Sequence, residues 1–260
     1  MADWIDLNSD LGEGFGRYTM GNDDAMLDIV SSVNVACGFH AGDPDIMARL
    51  AAETKNRGIA LGAHPGFLDL HGFGRREIHG IPAQELENLV IYQLGALQAL
   101  ARSVGQKLSH VRAHGALGNM SDSDAEIASP LVSAVKKADS SLALMTLPHC
   151  AADVAARKVG LRVIRQAFAD RAYNDDGSLV SRRLQGALIS DPREAAERTL
   201  RLVNDGVVKS INGKLITIEA RTVCVHGDSP AAVTMAEAIR NRLENAGITI
   251  RPFTGHDDWI

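Results

Sequence analysis

The chain has 260 residues, 45% of them hydrophobic and 23% charged. That is a globular composition with room for one large domain. A net charge of -5 and a pI near 6.0 exclude the clustered positive charge of a nucleic-acid footprint. No run approaches the roughly 18 consecutive apolar residues of a membrane helix.

The first predicted element is a strand over 4–10. Residues two apart on a strand share a face. Ile5, Leu7 and, after Ser9, Leu11 form an apolar side, while Asp6, Asn8 and Asp10 share the other. Buried charges are costly unless they are paired, hydrogen-bonded or bound to metal, so this row reads as one wall of a polar site. The chain enters this strand without a basic-then-apolar leader. Cys37, Cys150 and Cys224 are odd in number and far apart, which fits free thiols in the cytoplasm.

A second strand over 32–38 puts Asn34 and His40 on one face and Val33, Val35 and Cys37 on the other. Asp43-Pro44 starts a helix with Ile46, Met47, Leu50 and Ala51 on one side, and Gly58 ends it. The strand over 59–64 ends on His64, followed by a Gly-rich loop through Gly72-Phe73-Gly74-Arg75-Arg76. A helix with Leu86, Val90, Leu94, Leu97, Ala101 and Val104 runs to Gly105. The strand over 109–114 carries Arg112 and His114 on one face, and Ser123 with Glu126 forms a capping box behind it. Strands over 141–147 and 161–168 follow, the second leading into Asp170-Arg171. Asn174-Asp175-Asp176-Gly177 is turn-like, so Leu179 to Arg183 is either a hairpin flap over the site or plain surface. Asp191-Pro192 opens a helix that Gly206 closes. The strand over 222–226 ends on His226-Gly227-Asp228. Ser229-Pro230 then starts a helix through Ala232, Ala236, Ile239 and Leu243, and a short segment over 248–253 is the candidate eighth strand.

Seven or eight strands alternating with helices imply a mostly parallel sheet. Asp10, His40, His64, His114, Asp170 and His226 fall near the C-terminal ends of the strands. An open sheet would spread six such ends along an edge, whereas a barrel converges them on one mouth. The expectation is one α/β domain over 1–260, a (β/α) barrel.

A lone histidine in a loop is more often solvated than functional; the recurrence at strand ends weighs against that for His40, His64, His114 and His226. Arg75 and Arg76 read equally well as solvated surface. Asp170 and Arg171 read also as a salt bridge bracing the mouth, and Asp228 as a carboxylate at a helix start. His110, His149 and His256 have no supporting context, and His71 and His79 are loop residues. No CxxC, HExxH or Walker A loop is present, so a structural zinc site and a P-loop are not expected.

Taken together, Asp6 to Glu13, Asn34 to Pro44, Gly62 to Pro65, Gly72 to Arg76, His114 to Leu117, Phe168 to Arg171 and Val225 to Asp228 resemble the LamB/YcsF family over the whole length. The resemblance implies a (β/α) barrel related to the glycoside hydrolase/deacetylase barrels. It implies service as the A component of a 5-oxoprolinase that opens 5-oxoproline to glutamate with ATP and Mg, together with separate B and C subunits. Two departures stand out. The family's fourth-strand motif usually has Lys, Pro and Tyr where this chain has Arg112, Ala113 and Gly118. It usually has Glu before Phe-Ala-Asp-Arg, where Gln166 stands here.

Under that reading Asp10, Glu13 or Asp170 serves as base or metal ligand, and His64, His114 and His226 serve as acid, base or ligand. Asn8, His40, Arg75, Arg112, Arg171 and Asp228 are the substrate-binding candidates. The mixed lining also suits a divalent metal in the mouth, with Asp6, Asp10, His64 and His114 as ligand candidates. Two alternatives stay open: a metal-dependent amide hydrolase or deacetylase that acts on another lactam without ATP, and a non-catalytic ligand-binding or regulatory subunit. A homo-oligomer is also open.

Overall fold

The chain's structure, a computed structural model, describes residues 3–227 and 231–253. Its first strand, β1 (Trp4–Leu11), is followed by the short helix α1 (Asp23–Leu27). Then come β2 (Ser32–Ala36), α2 (Pro44–Arg57), β3 (Ala60–His64), α3 (Ala83–Ser103), β4 (Leu108–Val111), α4 (Gly115–Ser123) and α5 (Ala125–Ala138). The second half runs β5 (Ala143–Thr146), α6 (Ala151–Lys158), β6 (Arg162–Phe168), α7 (Pro192–Asp205), β7 (Val207–Lys209), β8 (Leu215–Thr217), β9 (Thr222–Cys224), α8 (Ala232–Asn245) and β10 (Thr249–Ile250).

Seven strands close the barrel. The order is β1-β2-β3-β4-β5-β6-β9, and β9 pairs back onto β1, every pairing parallel. The segment expected over 248–253 contributes β10, which pairs with β1 at Trp4 and Ile5, below the rungs where β9 meets Asp6, Leu7 and Asn8. It lies outside the closed ring. The antiparallel hairpin β7–β8 was not visible in the sequence pattern; it sits within the connection from α7 to β9.

The alternation read from β1 decides the layering. Leu7, Leu11, Val33, Val35, Leu61, Val111, Leu144, Val163, Ala167 and Val223 lie with helix residues such as Leu50, Leu94, Leu131 and Ile239 in one large core between strands and helices. The opposite faces fill the barrel, where Ala143, Met145, Ile164 and Phe253 form a small apolar floor with Trp4 packed against it. Above that floor the lining becomes polar.

Helix starts follow the expected capping at two sites. Asp43 accepts from the backbone N–H of Asp45 and Ile46 (both 2.9 Å), and Asp191 accepts from Arg193 (2.9 Å). Gly58 and Gly206 end α2 and α7 in the left-handed region. The expected Ser123–Glu126 box is corrected: Ser123 is the last residue of α4, its hydroxyl bonded back to Asn119 and Met120, and Asp124 caps α5. Asp124 wins because its carboxylate already reaches the Glu126 N–H at 2.8 Å. The expected start at Ser229-Pro230 lies outside the described residues. The turn at 174–177 does open a hairpin, with Tyr173 bridged to Leu179 and Arg171 to Leu188. Among the described residues no helix is long and apolar enough to cross a membrane.

Candidate active site

The mouth of the barrel collects side chains from six strand ends, those of β1, β2, β3, β4, β6 and β9. Asp10 sits near the end of β1. Its Oδ1 accepts from Asn34 Nδ2 (3.0 Å) and from the Arg112 guanidinium, while Oδ2 faces His64 Nε2 at 3.5 Å. Burial pushes the Asp10 carboxyl up, but Arg112 and then His64 outweigh it and hold it well below the ordinary carboxylate range. Arg112 is itself engaged elsewhere too. Its Nε donates to Gln166 Oε1 (3.0 Å) and its guanidinium lies 5.2 Å from the Phe168 ring centre. Two departures from the family pattern, Arg112 and Gln166, therefore meet in one contact.

Glu13 follows a turn at Gly12, whose φ of 71° belongs to the left-handed region. That turn carries the carboxylate over the mouth to His40, His64 and His114. Glu13 Oε1 lies 3.4 Å from His40 Nε2, 4.0 Å from His64 Nε2 and 3.2 Å from His114 Nδ1. One ligand-type atom from each of the four lies within 4.8 Å of every other, and all four residues are buried. The Gly-rich loop after β3 presses on the rings. A Cβ on Gly74 would stand 2.7 Å from both His40 and His114, so the close approach requires glycine there.

The ring protons can be placed. His64 Nδ1 donates to the Arg112 carbonyl (2.6 Å), and His114 Nε2 donates to the Phe73 carbonyl (2.7 Å). In neutral imidazoles that leaves lone pairs on His64 Nε2 and His114 Nδ1, and these two atoms face each other at 3.0 Å. Glu13 Oε1 and both nitrogens of His40 have no hydrogen-bond partner. Burial, with the neighbouring His114, pushes His40 down to about 3, so the His40 ring is neutral near pH 7. A buried pocket of facing lone pairs and an unpartnered carboxylate oxygen, lined by nitrogen and oxygen donors, suits a cation. His40 stacks flat on His114 (3.6 Å, 4°), so their in-plane lone pairs run side by side. Glu13, His40, His64 and His114 therefore converge as a group, with His40 held against the His114 ring.

A second pair stands across the mouth. His226 Nδ1 donates to Asp170 Oδ2 (2.7 Å), and Phe168 stacks on the ring. Burial pushes Asp170 up, and the facing His226 outweighs it, leaving the carboxyl below its ordinary range. A carboxylate on Nδ1 fixes the tautomer and leaves Nε2 for proton transfer.

The remaining predicted residues fall elsewhere. Asp6 is sealed inside the barrel by three hydroxyls, and Asn8 lies beside it, bonded to Thr222 and Asn34. Neither belongs to the convergent four. Arg171 is buried, donating to the Val180 carbonyl (2.7 Å) instead of bridging to Asp170. Arg75 is exposed and stacks on Phe73 at 4.9 Å. Asp228 lies outside the described residues. His110, read as lacking context, is fully buried and 2.7 Å from Asn34 Oδ1. Its signal was available: it shares the inward parity of Arg112.

A closed ring of parallel strands with acids and histidines gathered at their C-terminal ends defines an enzyme-type (β/α) barrel. The family 4 carbohydrate esterase from Streptomyces lividans has the same fold at 9% identity, with a TM-score of 0.53 over 99% of this chain and 96% of that one. A closer likeness is the lactam utilization protein from Thermus thermophilus, with a TM-score of 0.91 and 43% identity over 95% of this chain and 99% of that one. The LamB/YcsF family model matches residues 5–258, and the chain belongs to that family. The A component of 5-oxoprolinase from Rhodopseudomonas palustris (strain ATCC BAA-98 / CGA009) is 54% identical over 251 residues, spanning 96% of this chain and 99% of the relative.

Proposed function

We propose that this chain acts as the A component of an ATP-dependent 5-oxoprolinase, opening the lactam 5-oxoproline to L-glutamate with hydrolysis of ATP. The observation that carries this reading is the full-length identity of 54% to the A component of a bacterial 5-oxoprolinase. A lettered component implies partners, which in this reading are separate B and C subunits. ATP is a cosubstrate with Mg, and ATP use with free thiols fits the cytoplasm.

A five-membered lactam is a poor electrophile. Its opening asks for a base for water, positive charge for the carboxylate and developing oxyanion, and a proton for the leaving nitrogen. His226, oriented by Asp170, has a ring nitrogen to take and return a proton. Asp10, held ionised by Arg112, supplies fixed negative charge beside His64. Exposed Arg75, stacked on Phe73, and buried Arg171, which keeps its Nε unpaired, are the cations assigned to anionic groups. Glu13, His64 and His114 would hold a divalent metal, with His40 packed against them; such an ion polarises a carbonyl or acidifies water.

The test is glutamate release from 5-oxoproline and ATP, first with this chain alone and then with B and C. Release in the full mixture and not from the chain alone is expected. No release from a mixture shown to assemble would overturn the reading, and ATP-independent amide hydrolysis by the metal-loaded chain would replace it with the hydrolase alternative.

A further inference from the structure

Beneath the histidine cluster, the barrel interior holds a chain of buried side chains whose hydrogen-bond directions can be read in sequence. Asp6 accepts from Ser31 Oγ (2.6 Å), Ser32 Oγ (2.7 Å) and Thr222 Oγ1. With its proton directed to Asp6, Thr222 Oγ1 accepts from the Asn8 amide (2.6 Å). Asn8 therefore turns its carbonyl toward Asn34, whose NH2 donates to it (2.9 Å) and, with its second hydrogen, to Asp10 Oδ1 (3.0 Å). The Asn34 carbonyl is left facing His110 Nε2 at 2.7 Å, so that nitrogen carries the hydrogen. Ser109 Oγ lies 2.8 Å from the other ring nitrogen and can donate to it. Asp6, Asn8, Asn34 and His110 are all fully buried, where a polar group left without a partner is costly.

The neighbouring strand makes room for this ring. A Cβ on Gly62 would lie 2.1 Å from His110 Nε2, and on another side Phe253 packs against the ring edge to face at 5.0 Å. Burial, with the charge of Arg112 adding to it, pushes His110 down to about 3, so the ring is neutral near pH 7.

We infer that Asn34, locked in one amide orientation by His110 above a floor anchored at Asp6, is a positioning residue that fixes the Asp10 carboxylate. An amide is nearly symmetric in shape. Without the His110 donor, the Asn34 carbonyl loses its buried partner, and the amide that holds Asp10 Oδ1 is no longer pinned from that side. The locked arrangement spends Oδ1 on Asn34 and Arg112 and leaves Oδ2 aimed at His64. Asp6 on this view is an anchor and not a metal ligand.

The inference rests on the role proposed above for Asp10. The test is turnover of 5-oxoproline by the assembled subunits, with folding checked by far-UV circular dichroism. His110→Phe keeps an aromatic ring and removes the donor; kcat should fall about 10- to 100-fold with KM little changed, the loss expected when a reacting group is misplaced. His110→Gln, whose amide nitrogen can donate from nearly the same point, should recover most of that loss. Gly62→Ala, whose methyl would push the ring away from Asn34, should resemble His110→Phe. Wild-type kcat in His110→Phe, or a Gln variant no better than the Phe variant, would overturn the inference. If His110→Phe does not fold, Asn34→Ala serves in its place, with the same loss expected and wild-type kcat again overturning it. Asp10→Asn separates the two levels. An inactive Asp10→Asn beside a normal His110→Phe sinks the positioning role alone, whereas an active Asp10→Asn sinks the site reading beneath it.

Discussion

Replacing Arg112 by Leu should cost more stability than any other single change in the mouth. The side chain is 8% exposed, and it gives Asp10, whose side chain is 4% exposed, its guanidinium partner. Removing one member of a buried pair leaves the other charge uncompensated, at a cost of about 3–5 kcal/mol. For a chain of this length each kcal/mol lowers Tm by roughly 2–4 °C, so a fall on the order of 10 °C near pH 7 is expected. The pH dependence carries the sharper test. In the wild type, the folded pKa of Asp10 lies below its unfolded value of about 3.9, so the pair's stabilisation is present above that pH and is lost only as pH falls through the depressed folded value. In Arg112→Leu the largest opposing influence is gone, so burial, the largest cause, pushes the folded pKa of Asp10 upward. The buried charge then destabilises at neutral pH, and acidification relieves it by protonation. The Tm gap between the two proteins should therefore shrink between about pH 7 and pH 4, measured by circular dichroism melts. A gap that is small at neutral pH, or that widens on acidification, would refute the reasoning that Asp10 is a buried anion held by Arg112.

Three further outcomes follow from the geometry. Glu13→Gln should weaken binding of a divalent ion at least about tenfold in equilibrium dialysis with Zn2+, while equal binding by both proteins would remove Glu13 from the ligand set. Gly12→Ala forces a side chain into φ 71°, with its Cβ 2.7 Å from Leu50 Cδ1; a loss of about 1–3 kcal/mol in urea unfolding is expected, and an unchanged midpoint would show that the turn tolerates a side chain. Asp43→Ala removes the cap of α2 and should cost about 1 kcal/mol, seen as a drop in Tm of roughly 2–4 °C; no drop would mean that water replaces the cap without loss.

Much of the barrel was legible because its two periodicities are strong. The alternation in β1 gave the inward row Asp6, Asn8 and Asp10, and the recurrence of polar residues at strand ends gave the mouth. Whether seven or eight strands close could not be read, since β10 has a strand-like composition but too little length to join the ring. The Ser123 box failed because Asp124, one residue on, offers a stronger acceptor at the same helix start. Within the site, local sequence does not encode ring orientation. The convergence of Glu13, His64 and His114 depends on the Phe73 and Arg112 carbonyls pinning the far ring nitrogens. His110 was passed over as a lone histidine, although its parity with Arg112 already pointed it inward. What stayed hidden was its partner, Asn34, 76 residues away.

The same polar chain bears on how the protein is made. Asn8 leaves the ribosome well before Thr222, which accepts its hydrogen bond and is 214 residues further on. At about 5–20 residues per second, synthesis separates them by roughly 10–40 s. During that interval Asp6 waits without one of its three hydroxyls, and β1 and β6 lack the strand that joins them, leaving two unpaired sheet edges. The wall that holds Asp10 is thus completed only when β9 has emerged, and a nascent chain stopped short of β9 would carry nearly all the mouth residues but no finished site.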